Sequence, residues 1–287
     1  MRLINTQQKI LIVGLGLLGG SYAKALSKKG FHISAITLDQ YSIDFALDKG
    51  WIEKGSAFVD TDLLSDADIV VFALYPTIFI DWIQKNQHLL KSGSIITDVT
   101  GIKGSVVYTI QDMLRPDVEF IAAHPMAGRE VSGVENSDDC IFHNANYIVT
   151  PTDKNTPEAI QLCRDLGVIL GFSRISTLSP DEHDKIIAFV SQLTHCIAVS
   201  LMTCQKTEHL EDYTGDSFRD LTRIARLNDE MWSELFLMNK EPLLQQMKLF
   251  EDELTRLRKM LQSDDREGLR EMMRYSTARR ALFDKKL

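Results

Sequence analysis

The sequence predicts an α/β fold in two parts: an N-terminal, doubly wound parallel sheet over residues 1–178, then an all-helical domain over residues 179–287. Three observations predict it. Short apolar runs alternate with helical patterns through the first half. Those runs are apolar on both faces, as strands are when helices cover both sides of a parallel sheet. After Pro180 the strand patterns vanish and long helical ones take over. A chain of 287 residues is also long for one core, which favours two domains.

The elements follow in order. "KILIVGL" (9–15) reads as the first strand and "SYAKALSKKG" (21–30) as a helix stopped at Gly30. "HISAITLD" (32–39) is the second strand, followed by a helical stretch to Gly50. "DADIVVFALYP" (66–76), "GSIITDVTG" (93–101), "EFIAAHP" (119–125) and "ANYIVTP" (145–151) supply four more strands. "TPEAIQLCRDLGVILGF" (156–172) reads as a helix and "SRISTLS" (173–179) as one more short strand. In the next stretch, 179–202, Ser179 serves as N-cap and Pro180 opens the first turn, with "EHD" at 182–184 read as part of the capped helix start. Leu243, Met247, Phe250, Leu254, Leu257 and Leu261 recur at steps of four and three. That stripe predicts a helix packed on other helices, within the chain or between subunits.

Composition narrows the function classes. The net charge of −8, with no long basic run, argues against a nucleic-acid groove. Cys140, Cys163, Cys196 and Cys204 lack C-x-x-C spacing and read as reduced thiols of a cytoplasmic protein. The N-terminus runs into a strand without a cleavage signal. No apolar run approaches the ~20 residues of a membrane helix, so no membrane partner is expected. The seven histidines contain no H-E-x-x-H and no metal is expected.

"VGLGLLGG" places Gly14, Gly16 and Gly19 in a G-x-G-x-x-G loop, with Leu17 and Leu18 between, after a strand and before a helix. Gly14 would permit the tight turn, Gly16 the approach of a pyrophosphate, Gly19 close helix–strand packing. Asp39 lies 20 residues past Gly19 at the next strand end. There it would bind the ribose hydroxyls and repel a 2′-phosphate, favouring NAD. This is a Rossmann-type arrangement, in which ligands lie outside the carboxyl ends of the strands. Three stretches end there: "FALYP" with Leu74 and Pro76, "TDVTGIK" with Asp98, Thr100 and Lys103, and "AAHPMAG" with His124. Leu74, Pro76 and Asp98 are accordingly assigned to the cofactor. His124 suits a base taking a proton from a hydroxyl while hydride leaves the same carbon, with Thr100 and Lys103 orienting it or steadying charge. In "SFRDLTRIARLNDEMW" Arg219, Arg223 and Arg226 recur at helical spacing, and Asp220 stands three residues before Arg223, where it could pair with it for carboxylate capture.

"VGLGLLGGSYAKAL", "TDVTGIKG", "AAHPMAGRE", "EHDKIIAFVSQLTHCIA" and "FRDLTRIARLNDEMW", in that order, resemble the prephenate dehydrogenase family over roughly residues 8–240. The resemblance implies a Rossmann domain followed by a helical dimerisation domain and a homodimer. It implies NAD-dependent oxidative decarboxylation of prephenate to 4-hydroxyphenylpyruvate, in tyrosine biosynthesis. It makes His124 the catalytic histidine, Arg223 the ligand of a substrate carboxylate with Asp220 beside it, and His195 and Gln192 residues of the substrate site. The chain departs from the family pattern at Gly101, where relatives commonly have serine, and in "SQLTH", where they often read S-H-L-P-H. With no room after Leu287 for a regulatory module, any feedback by tyrosine would have to act at the active site. Arogenate as substrate, a β-hydroxyacid dehydrogenase and a non-catalytic NAD-responsive protein stay open at this point.

Overall fold

The computed structural model describes residues 4–129 and 131–283; Glu130, within one quoted motif, lies outside them. The chain divides into two compact units, up to Asn239 and from Lys240 on.

In the first unit, strands β1 (Lys9–Val13), β2 (His32–Ile36), β3 (Lys54–Ser56), β4 (Ile69–Phe72), β5 (Ile95–Asp98) and β6 (Glu119–Phe120) form one sheet in the order β3-β2-β1-β4-β5-β6. Every pairing in it is parallel. Helices α1 (Leu17–Ser27), α2 (Gln40–Asp48), α3 (Thr61–Asp66), α4 (Pro76–Asn86) and α5 (Gly104–Met113) make the connections. Because successive strand residues face opposite ways, each strand feeds two cores. Ile10, Ile12, Ile69 and Val71 pack with Tyr22 and Leu26 of α1, while Leu11, Val13, Val70 and Phe72 pack with Phe79 and Ile83 of α4 and Val106 and Ile110 of α5.

One expected strand serves two sheets. "EFIAAHP" breaks at Ile121: its first residues are β6, and the rest is β7 (Ala122–Met126). β7 pairs antiparallel with β8 (Asn146–Thr150), which pairs parallel with β9 (Arg174–Thr177). The apolar run from Phe120 to Ala123 conceals this corner, because both sheets bury these residues. Helix α6 (Pro157–Leu170) covers β8 and ends at Gly171, whose φ of +93° suits glycine.

After β9, α7 (Pro180–Ile187), a π-helical segment (Ala188–Leu193) and α8 (Thr194–Thr203) run on as one helix. Over this length, 24 residues with a mean hydropathy of 1.7 in its most apolar window, it is long and apolar enough to cross a membrane, contrary to the sequence reading. Its buried polar side chains, His183, Asp184 and Gln192, are bonded within the protein. Ser179 caps its start reciprocally with Glu182. The first unit closes with α9 (Asp216–Thr222) and α10 (Asp229–Met238). The second unit holds α11 (Lys240–Gln262), which carries the Leu243–Leu261 stripe, and α12 (Arg266–Arg280), N-capped by Asp265.

Candidate active site

The glycine loop connects β1 to α1. Gly14 sits at φ +98°, and a Cβ there would lie 2.5 Å from the Ala73 carbonyl oxygen, so only glycine makes this turn beside β4. A Cβ on Gly19 would lie 1.8 Å from the Gly14 carbonyl oxygen, whereas one on Gly16 would meet nothing within 4 Å. The loop is thus packed tight below and open above. Gly16 is the N-cap of α1 and offers no side chain to it, leaving the first-turn N–H groups of Leu17 and Leu18 for an anion such as a pyrophosphate. Leu74 lines the same turn, and Pro76 is the buried first residue of α4. Asp39 is exposed beyond β2 and N-caps α2, accepting from the backbone N–H groups of Tyr41 and Ser42 and from Ser42 Oγ. The Ser42 hydroxyl bond holds its carboxyl below the usual range, so it presents a fixed negative charge. These features fit the pyrophosphate and ribose of NAD.

His124 lies in β7, half-buried, with Gly101 against it; a Cβ on Gly101 would sit 3.8 Å from the ring and 3.8 Å from Leu235 of α10. Its Nδ1 lies 2.9 Å from Nε2 of His183, and His183 Nδ1 lies 2.8 Å from Asp184 Oδ1. Asp184 also accepts the backbone N–H groups of Lys103 at 2.8 Å and Gly104 at 2.7 Å, docking α7 on the start of α5. The chain of bonds sets the protons. A carboxylate only accepts, so His183 Nδ1 carries hydrogen and its Nε2 accepts. His124 Nδ1 is therefore the donor, and its Nε2 keeps a lone pair. Burial, followed by the proximity of His183 and of Lys103, holds His124 well below the usual histidine value, so it is neutral.

Four of the expected site residues spend their polar atoms on bonds within the protein. Asp98, expected to touch the cofactor, is fully buried and accepts from Thr100 N, Thr100 Oγ1, Lys103 Nζ and Ala123 N. Lys103 is equally buried, and its ammonium donates to Asp98 at 2.7 Å, the Ala123 carbonyl at 2.6 Å and Thr100 Oγ1 at 3.3 Å. It has no proton left for a substrate; it ties β5 to the residue before His124. Thr100 spends its hydroxyl on Asp98 and the Ile102 carbonyl. Gln192, expected at the substrate, is buried between the Leu235 carbonyl and the Asn239 amide.

His195 donates from Nδ1 to the Ser191 carbonyl at 2.8 Å and stacks on Trp232 of α10 with ring centroids 3.8 Å apart. Trp232 and Leu235 are one helical turn apart, so α10 spans from the His195 side to the His124 side. Glu234 of α10 accepts from the Thr77 N–H at 2.7 Å, holding α10 on the start of α4. Arg223, Arg226 and Asp220 are exposed. Arg219 pairs with Asp216 at 2.6 Å. α9 stops at Thr222, and Arg223 opens a tighter turn.

Sequence reading missed His183 and Asp184, since only Glu182 of "EHD" acts as a cap. The available signal was their place on the buried stripe with Pro180, Ile187 and Ala188. The π segment concealed more. His195 is 12 residues past His183, about 120° away around an ideal α-helix. One residue absorbed in a π turn reduces this to about 20°, returning His195 toward the same side.

Family models match twice: prephenate dehydrogenase, nucleotide-binding domain, over residues 22–170, and prephenate dehydrogenase, dimerization domain, over residues 179–275. The prephenate dehydrogenase of Bacillus subtilis (strain 168) is 31% identical over 273 residues, 91% of this chain and 72% of that one. The cyclohexadienyl dehydrogenase of Zymomonas mobilis is 30% identical over 278 residues, 93% of each chain. The solved structure of prephenate dehydrogenase from Aquifex aeolicus, in complex with hydroxyphenyl propionate and NAD+, superposes with a TM-score of 0.88 at 31% identity, covering 96% of this chain and 98% of that one.

Proposed function

The chain belongs to the prephenate dehydrogenase family, and we propose that it oxidises prephenate with NAD, through His124 as base, to 4-hydroxyphenylpyruvate and carbon dioxide. It is an NAD-dependent oxidoreductase. The observation that carries the role of His124 is its tautomer. Asp184 and His183 leave Nε2 of a neutral imidazole with a lone pair, on β7 and beside Gly101. Such a nitrogen can take a hydroxyl proton and cannot donate one. Bound NAD supplies the hydride acceptor. The open glycine loop and Asp39 would hold its pyrophosphate and ribose.

In this reading Arg223 meets a substrate carboxylate and His195, fixed by Ser191 and Trp232, flanks the substrate side chain. Lys103, Thr100 and Asp98 act behind His124 by fixing β5 against β7. We place the chain in the cytoplasm as a homodimer. All four thiols are free. Phe250, Leu254 and Leu261 of the α11 stripe are 38%, 55% and 57% exposed in the single chain, leaving an apolar face for a second copy. Light scattering at micromolar concentration checks this: a monomer contradicts it. The functional test is a screen of NAD and NADP against prephenate and arogenate, following reduced cofactor by absorbance. Turnover of prephenate with NAD is expected; reduction with neither substrate would sink the proposal, and turnover of arogenate alone would replace it with the arogenate reading.

A further inference from the structure

We propose that His183 is the store for the proton that His124 removes: the proton passes along the two rings and rests on His183 against Asp184. This rests on the reading of His124 as base and adds a positioning residue to it.

The geometry carries the argument. Both links are hydrogen bonds of ordinary length, 2.9 Å between the imidazoles and 2.8 Å to the carboxylate. The rings meet edge-on at 62°, with centroids 5.1 Å apart. The proton inventory then balances. The substrate O–H bond breaks and an Nε2–H bond forms on His124. The Nδ1–H bond of His124 breaks and an Nε2–H bond forms on His183. The hydride from the same carbon goes to bound NAD, which is the oxidant of the established reaction. His124 ends neutral as its other tautomer, and the positive charge sits one ring deeper. As the ring carboxylate leaves as carbon dioxide its bonding pair enters the ring, the ring oxygen takes back the Nε2 proton of His124 as the phenol, and His183 returns its own proton to His124 Nδ1.

The charges facing each ring decide where the proton rests. Behind His124 stands the ammonium of Lys103, bonded to the carbonyl of Ala123. His183 is in contact with Asp184 and faces Asp98 as well as Lys103. A cation on His124 would thus have a neutral ring and a cation for company, while a cation on His183 would have a carboxylate in contact. Burial lowers both histidines, but for His183 Asp184 and Asp98 oppose it, whereas every cause acting on His124 lowers it.

Two variants separate holding from storing. In His183→Gln the amide oxygen can still accept from His124 Nδ1, keeping the tautomer, but cannot take a proton. His183→Leu loses both. The expected result for Gln is a kcat ~10–10²-fold down, below the full worth of a positioned base, with KM and NAD affinity unchanged and the pH profile of kcat altered; Leu falls further. Independently of turnover, nitrogen-15 NMR of histidine-labelled enzyme without substrate follows both rings as pH falls. His183 is expected to become doubly protonated first. A Gln variant with native kcat and pH profile, or an NMR titration in which His124 charges first, overturns the store. If the Gln variant does not fold, the NMR titration of the unaltered enzyme decides alone. Neither result touches His124 as base, which fails separately if His124→Asn keeps its turnover.

Discussion

The two ends of this cleft are built in opposite ways. At the glycine loop the chemistry is in the backbone: no side chain caps the α1 N-terminus, and the space above Gly16 is open. At His124 the chemistry is in side chains, buried and bonded from three separate segments. The first end tolerates water and binds by dipole and shape. The second fixes one tautomer of one ring, and that requires partners whose own protons are fixed. Recognition of a cofactor shared by many enzymes can rest on a local motif; control of a single proton cannot.

The largest expected effect separates the two ends. His124→Asn should lower kcat by ~10²–10⁴-fold while leaving NAD affinity, measured by fluorescence titration, nearly intact. An amide there can still meet His183, so the fold should survive. Turnover above about a tenth of the unaltered enzyme's would return His124 to a structural strand end. A parallel loss of NAD binding would show the two ends to be coupled rather than separate.

This contrast also explains what was legible in the sequence. The loop spans Gly14 to Gly19; Gly14 and Gly19 leave no room for a Cβ and Gly16 leaves open space, and the spacing between a strand and a helix, with Asp39 beyond, identifies it. The parallel sheet was legible because β4 is wholly apolar, β1 is apolar after Lys9, and β2 and β5 are short runs rich in isoleucine. The imidazole cluster joins residues 59 and 80 positions apart, and no local pattern encodes that. Asp98, Thr100, Lys103 and Gln192 have the residue types of a site and were read as one. The fold buries them and turns their polar atoms toward each other. Residue type announces polarity, but only packing decides whether it faces a ligand. The corner at Ile121 was hidden because it falls inside the apolar run from Phe120 to Ala123, and the π segment at Ala188–Leu193 because it shifts the phase of a helix without ending it.

A smaller effect sharpens the comparison from the substrate side. Arg223→Ala should act through KM, because the role proposed for this exposed arginine is to bind a substrate carboxylate and not to move a proton. A hydrogen bond to a charged group is worth about 1.5–3 kcal/mol, or ~10- to 150-fold in kcat/KM at 1.36 kcal/mol per decade. Arg226→Ala, equally exposed, should change kcat/KM less than about threefold. Steady-state kinetics with prephenate checks both. Equal losses in the two variants would replace a specific carboxylate contact with a diffuse positive field.

The smallest effect concerns stability, and it tests the buried end without substrate. His124 and His183 both lie below the usual histidine value in the folded chain, while in the unfolded chain each titrates near ~6.5. Between those limits the unfolded chain binds more protons, so the free energy of unfolding rises with pH. Their effect is therefore absent above about pH 6.5 and appears as a loss of stability as pH falls below it. Asp138, held near about 2 by Lys24, acts in a separate and more acidic window, below the ordinary carboxylate value. The melting temperature should thus decline between about pH 7 and 5, by ~2–4 °C per kcal/mol for a chain approaching this size. His124→Asn removes the more depressed group and should flatten that slope, leaving the acid fall below about pH 4 unchanged. Calorimetric melts of the two proteins across this range give the answer. Parallel curves would mean that His124 exchanges protons as freely in the folded chain as in the unfolded one, and the tautomer inferred from His183 and Asp184 could not hold.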